Sequence, residues 1–164
     1  MIQTVIIIGY LPGEVLGPLD RERSALNLVT NPDPKRRYPW GGDLDENPAW
    51  YGESGENPCA LGCFPGGVGP YGCRDLSGNV WEWTRSLWGE DWQKPSFPYP
   101  YAPGDGREDL GASESFLRVL RGGSCAIALL FARCAARSGA HPEYPYNFVG
   151  FRVALSPSSL DSEF

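Results

Sequence analysis

One run constrains this chain more than any other: Gly78-Asn79-Val80-Trp81-Glu82-Trp83-Thr84, preceded by Asp75-Leu76-Ser77. Gly78 and Asn79 tolerate positive φ and read as a turn. From Val80 onward the residues are β-branched and aromatic, the composition of a strand. Side chains alternate along a strand, so Trp81 and Trp83 share one face and Glu82 takes the other. Two readings follow. In the first, the tryptophans are core and Glu82 is a solvated strand residue. In the second, an acid held between two large anchors, beside the carbonyls of a glycine turn, offers oxygens to a hard cation such as calcium.

Turn chemistry dominates around this run. Glycine (21) and proline (16) together supply 37 of the 164 residues, above ordinary usage. This composition predicts short strands joined by irregular loops. The length suits one domain with a core, and 41% hydrophobic with 13% aromatic residues argues against disorder. Residues 38–72 are turn-forming almost throughout, with Trp40, Trp50, Tyr51 and Phe64 as internal anchors. A net charge of −6 provides no electrostatic footprint for nucleic acid. No apolar run approaches membrane-spanning length. The apolar stretch Val5 to Leu11 lacks the basic flank and cleavage site of an export signal, so the expected location is cytoplasmic.

The remaining elements read as follows. Residues 4–11 form a strand. Residues 18–29 form a helix, opened by Pro18 and ended by Asn31-Pro32-Asp33-Pro34. Leu117 to Leu120 is a strand, with Leu117 and Val119 on one face and Arg118 and Leu120 on the other. Gly122-Gly123 then permits a bulge or close backbone packing. Arg121 and Arg137 are expected to be internal hydrogen-bond anchors, because a loop-rich fold offers many carbonyls. Residues 149–155 read as a closing strand and 156–164 as a tail. The cysteines number five; with no export signal they are expected to be reduced thiols. Cys59, Cys63, Cys73 and the single histidine His141 match no standard zinc spacing.

The central run resembles the signature of the formylglycine-generating-enzyme, or sulfatase-modifying-factor, family. Further pieces recur in family order: Tyr38-Pro39-Trp40-Gly41, Tyr51-Gly52-Glu53, Gly69-Pro70-Tyr71-Gly72, Arg118-Val119-Leu120-Arg121-Gly122-Gly123-Ser124, Ala135-Ala136-Arg137 and Gly150-Phe151-Arg152. The resemblance spans residues 36–155 and leaves 1–35 outside. It implies an α+β fold, an irregular, loop-rich variant of the C-type lectin fold with short antiparallel strands, here truncated at its N-terminal end. Carried over residue by residue, it also implies structural calcium held by the side chains of Asp75 and Glu82 and the carbonyls of Gly78 and Val80.

Function turns on the segment after Ser124. Enzymes of the family bind copper(I) through a closely spaced cysteine pair that oxidises a substrate cysteine. Soft thiolates suit copper(I), and an accessible thiolate is the reactive form. Here Cys125 and Cys134 are nine positions apart and match neither member of that pair. No catalytic residue is assigned. Copper belongs only to the alternative reading, a formylglycine-generating-type oxidoreductase acting on protein cysteine. The same segment resembles family members that serve as variable proteins of diversity-generating retroelements, in which a fixed frame from Gly-Gly-Ser to Gly-Phe-Arg carries varied side chains. That resemblance implies a module presenting residues 126–148 to a protein or other ligand. Ala126, Ala128, Leu130 and Phe131 form the first part of the surface. Ser138, Ala140, His141, Tyr144, Tyr146 and Phe148 form the second. For 126–132 an ordinary core segment is the competing reading. Residues 138–148, with Ser-Gly, two prolines and three aromatics, read as a binding loop whose Tyr and His give rigid amphipathic contacts.

Overall fold

The computed structural model describes Ile6, Ile7, Ala49, Tyr51 and residues 36–41, 57–69, 72–102 and 104–154. The expected helix at 18–29 and the tail at 156–164 lie outside the described residues, as does most of the strand expected at 4–11. Its described portion, β1 (Ile6–Ile7), is a strand.

The turn and the strand after it form as their residues dictate. Gly78 (φ 82°) and Asn79 (φ 62°) are both left-handed. The chain then runs extended as β2 (Trp81–Gly89), nine residues long. Across from that turn, Gly122 (φ 87°) and Gly123 (φ 75°) make a second left-handed pair. The Gly78 N–H donates to the Gly122 carbonyl at 2.8 Å, and the Cys125 N–H to the Asn79 carbonyl at 2.9 Å. A side chain at Gly123 would meet the Phe131 carbonyl oxygen at 2.8 Å, so the close backbone approach itself requires glycine.

β2 pairs antiparallel with β3 (Leu117–Arg121), through Glu82↔Arg121 and Trp83↔Leu120, then with register shifts to Leu87↔Arg118. β3 pairs antiparallel with β4 (Ser138–Ala140). On its other side β2 pairs with β5 (Val149–Gly150) in parallel, giving the order β4-β3-β2-β5. β6 (Val153–Ala154) pairs antiparallel with β1 in a separate two-stranded sheet.

Two expectations change here. The sheet is mixed rather than purely antiparallel, because the chain returns to the start of β2 and the Trp81 N–H donates to the Phe148 carbonyl at 2.8 Å. The closing strand is split into β5 and β6 at Phe151 and Arg152. Among the described residues the helical segments are 3₁₀ turns, at Pro65–Gly67 and Leu129–Ala132.

The alternation along β2 holds. Trp81 packs in a cluster with Leu120 and Ala140, against which Trp83, Ile127 and Val149 lie. Burial of each large apolar side chain is worth about 1.5–3 kcal/mol. Glu82 lies on the opposite side, also buried. A clasp formed by residues 97–101 covers another flank. Arg137 sits between the rings of Trp88 (5.1 Å) and Tyr99 (4.9 Å), and its Nη1 donates to the Phe97 carbonyl at 2.8 Å. Arg121, fully buried, lies over Tyr99 at 5.2 Å and donates to the Ala136 carbonyl at 2.9 Å. Both arginines are therefore internal anchors, as their surroundings in the sequence predict.

Candidate functional site

The Trp81 face of the sheet is not completely covered. Beside it opens a cavity of about 630 Å³, within the range of small-ligand sites. Its floor comes from Trp81, Leu120 and the backbone and side chains of β4. Its rim is the loop after β4, where Tyr144 and Tyr146 are exposed, joined by Trp92 from the corner after β2. Among the described residues no Asp, Glu, Lys or Arg lines it.

Local packing explains how β4 reaches this position. Gly139 is buried, and a Cβ there would lie 2.6 Å from the Trp88 ring. Trp88 in turn donates from Nε1 to the carbonyls of Asp91 (3.2 Å) and Trp92 (3.1 Å), which fixes the corner that carries Trp92. Residues 138–140 are thus an edge strand rather than part of a loop. Backbone pairing to β3 and a flat ring over Gly139 outweigh weak strand propensity. The loop expected to follow runs from His141 to Phe148. It begins with a turn in which the Tyr144 N–H donates to the His141 carbonyl at 3.2 Å.

Of the ten residues expected to contact ligand, seven line the cavity: Ala126, Ser138, Ala140, His141, Tyr144, Tyr146 and Phe148. Ala128, Leu130 and Phe131 do not line it. Leu130 and Phe131 are exposed on the neighbouring 3₁₀ turn, and Phe131 meets Trp81 edge-on at 6.2 Å. The choice between core and surface for 126–132 is settled residue by residue. Ala126, Ala128, Leu130 and Phe131 are exposed, Ile127 is half-buried and Ala132 is buried. The cavity also recruits residues absent from the expected set, among them Trp81, Trp92, Leu117 and Ile127. The aromatic composition flanking the 138–148 loop carried no signal for Trp92, because only the corner geometry brings it over.

His141 packs on Tyr144 with ring centroids 5.0 Å apart, and its Nδ1 is buried without a partner among the described residues. Ser124 shares the cavity with it. The Ser124 hydroxyl accepts from the Ala126 N–H at 3.4 Å, and no carboxylate completes a triad there.

On the opposite face, Glu82 meets Arg152. Arg152 Nε donates to Oε1 (3.0 Å) and Oε2 (2.8 Å), and Nη2 to Oε1 at 2.6 Å. The same guanidinium donates to the carbonyls of Arg74 (3.1 Å) and Asp75 (2.7 Å). Glu82 is therefore neither solvated nor turned alone to the glycine turn. Asp75, left-handed at φ 54°, directs Oδ2 to the Gly62 N–H at 2.8 Å. Tested against a calcium site, the expected donors fit in part. Glu82 and the turn bearing Gly78 and Val80 are adjacent in the fold, whereas the Asp75 carboxylate is engaged elsewhere and Arg152 already claims Glu82. Asn79 is more than a turn former: its side chain accepts from the Cys59 N–H at 2.9 Å and donates to the Cys59 carbonyl at 3.2 Å.

All five cysteines are free; Cys63 and Cys73 are exposed, Cys59 half-buried, and Cys125 and Cys134 buried. Burial pushes the Cys125 thiol above its ordinary pKa, so little thiolate forms at neutral pH. Among the described residues no group of three or more His, Cys, Asp or Glu side chains is arranged to hold a metal ion, and no helix is long and apolar enough to cross a membrane.

The hercynine oxygenase of Mycolicibacterium thermoresistibile is 37% identical over 123 residues, covering 73% of this chain and 27% of that protein. The formylglycine-generating enzyme of Thermomonospora curvata is 30% identical over 143 residues, covering 74% of this chain and 43% of that enzyme. The chain thus spans less than half the length of these curated relatives. Among solved structures, Treponema denticola variable protein 1 aligns with a TM-score of 0.49 and 27% identity, over 71% of this chain and 40% of that one. The family profile described as "Sulfatase-modifying factor enzyme 1-like domain" matches residues 28–157, most of the sequence, and the chain therefore belongs to the sulfatase-modifying-factor, or formylglycine-generating-enzyme, family.

Proposed function

We propose that this protein is a binding module on a formylglycine-generating-enzyme-like scaffold of the C-type-lectin type, presenting residues 126–148 to a protein or other ligand. One observation carries the reading. Seven of the ten expected contact residues converge on a cavity of about 630 Å³ with no charged wall among the described residues, while Cys125, Ala132 and Cys134, interspersed among them, are buried. Ala126, Tyr144 and Tyr146 are exposed and Ser138, His141 and Phe148 half-buried, set around this buried frame, an arrangement that lets contacts vary without loss of the fold. A retroelement-diversified surface would have this form. The test is a library randomised at Ala126, Ser138, His141, Tyr144, Tyr146 and Phe148. Most members should melt within a few degrees of the parent, and different members should select different target proteins. General unfolding of the library would defeat the reading.

A second reading, oxidation of a protein cysteine, draws support from the formylglycine-generating enzyme named above. The burial of Cys125 and Cys134 counts against it, because the thiol that reacts is an accessible, ionised one. Copper(I) titration with thiol labelling separates the two. Tight binding of one equivalent through both cysteines would favour the oxidase.

Structural calcium is a separate proposal. A bound ion would share the Glu82 carboxylate with Arg152, beside the carbonyls of Gly78 and Val80.

A further inference from the structure

The cavity has a charged end that its lining does not reveal. The turn from His141 to Tyr144 divides it from a smaller cavity of about 330 Å³, lined in part by Glu114, Arg118 and Glu143. Both open on one side of the sheet, since Arg118 pairs with Ala140 and Leu120 with Ser138, and paired residues share a face. Glu90 reaches the turn that carries Glu114, accepting from the Ser115 hydroxyl at 3.1 Å. Three exposed carboxylates, Glu114 and Glu143 on the smaller cavity and Glu90 on the turn that carries Glu114, therefore lie beside the uncharged aromatic cavity. The opposing cation there, Arg118, already donates from Nη1 to the carbonyls of Arg85 (2.9 Å) and Asp109 (3.3 Å). The field at that end is negative, in a chain whose net charge is −6.

Resting on the binding-module reading, we propose that the partner is a polypeptide segment that inserts an apolar side chain into the large cavity and sets a neighbouring lysine or arginine against this acidic end. The apolar group supplies the buried anchor, as in most protein interfaces. The carboxylates choose among partners and raise the encounter rate more than they add affinity. Neither phosphate groups nor acidic peptides suit the same surface, because like charges facing one another oppose docking.

The experiment uses short acetylated, amidated peptides with a central phenylalanine, flanked by lysines in one set and by glutamates in the other. Binding is followed through the backbone amide resonances of residues 138–149. The lysine-flanked peptide should bind about tenfold more tightly at low salt, and the preference should shrink as salt screens it. The double variant Glu114→Gln, Glu143→Gln should lose most of that preference while still binding the phenylalanine. Ala126→Trp, a change at an exposed lining position, should block both peptides. Equal binding of the two sets, or a preference that survives the double variant, overturns the charge assignment alone. If neither peptide shifts these resonances, or if Ala126→Trp has no effect and the neutral dye Nile red is not held either, the binding-module reading falls with it.

Discussion

Arg152 ties its own segment to two others at one point: to β2 through Glu82 and to the turn before β2 through the carbonyls of Arg74 and Asp75. Removing one member of a buried pair strands the other charge. Arg152 is 31% exposed at its side chain and Glu82 9%, so solvent relieves part of that cost. Arg152→Ala should therefore lower unfolding stability by about 2–3 kcal/mol in urea titration. Arg152→Lys should recover only part, because an ammonium cannot reproduce the forked contact. Gly139 is constrained differently. Gly139→Ala should destabilise by about 1–3 kcal/mol as its methyl meets the Trp88 ring. Thiol chemistry provides a third check. A maleimide reagent should label exposed Cys63 and Cys73 quickly, and Cys125 only after denaturation, since burial both covers it and holds its proton.

At the scale of elements, residues 97–101 behave as a clamp on Arg121 of β3 and on Arg137 before β4. Tyr99→Ala removes the ring that faces both Arg121 and Arg137, a loss of about 1–2 kcal/mol. Arg107 is buried against Tyr101 at 4.7 Å and paired with Asp105 at 2.7 Å. The Arg107 hydrogen bond holds the Asp105 carboxyl below the ordinary carboxylate range. A carboxylate whose pKa is depressed on folding adds stability that is complete above the unfolded pKa and disappears as pH falls through the folded one. Asp105→Asn should therefore flatten the stability profile below about pH 4 and leave its slope unchanged near neutrality.

For the whole molecule, the Arg152 junction and the aromatic cavity lie on opposite faces of β2. Trp81 belongs to the cavity and Glu82 to the Arg152 junction. Changes in one should be nearly additive with changes in the other, because distant sites with no shared partner rarely couple. If calcium supports the scaffold, a chelator should lower the melting temperature without altering binding at the cavity. A melting temperature indifferent to chelator and to added calcium would leave Arg152 as the only counter-charge assigned to Glu82.

The family, the alternation along β2, the anchoring of Arg121 and Arg137 and much of the cavity lining were legible in the amino-acid order. Each depends on local rules: positive-φ residues make turns, strands alternate, and a buried arginine seeks carbonyls. Tertiary structure alone decided that Arg152 faces Glu82, that Trp92 roofs the cavity, that β5 runs parallel to β2 and that 138–140 is an edge strand. These contacts join residues far apart in sequence, such as Arg152 and Glu82, 70 positions apart. No window of sequence contains both partners, and only the packed backbone brings the charge, the ring or the strand edge within reach.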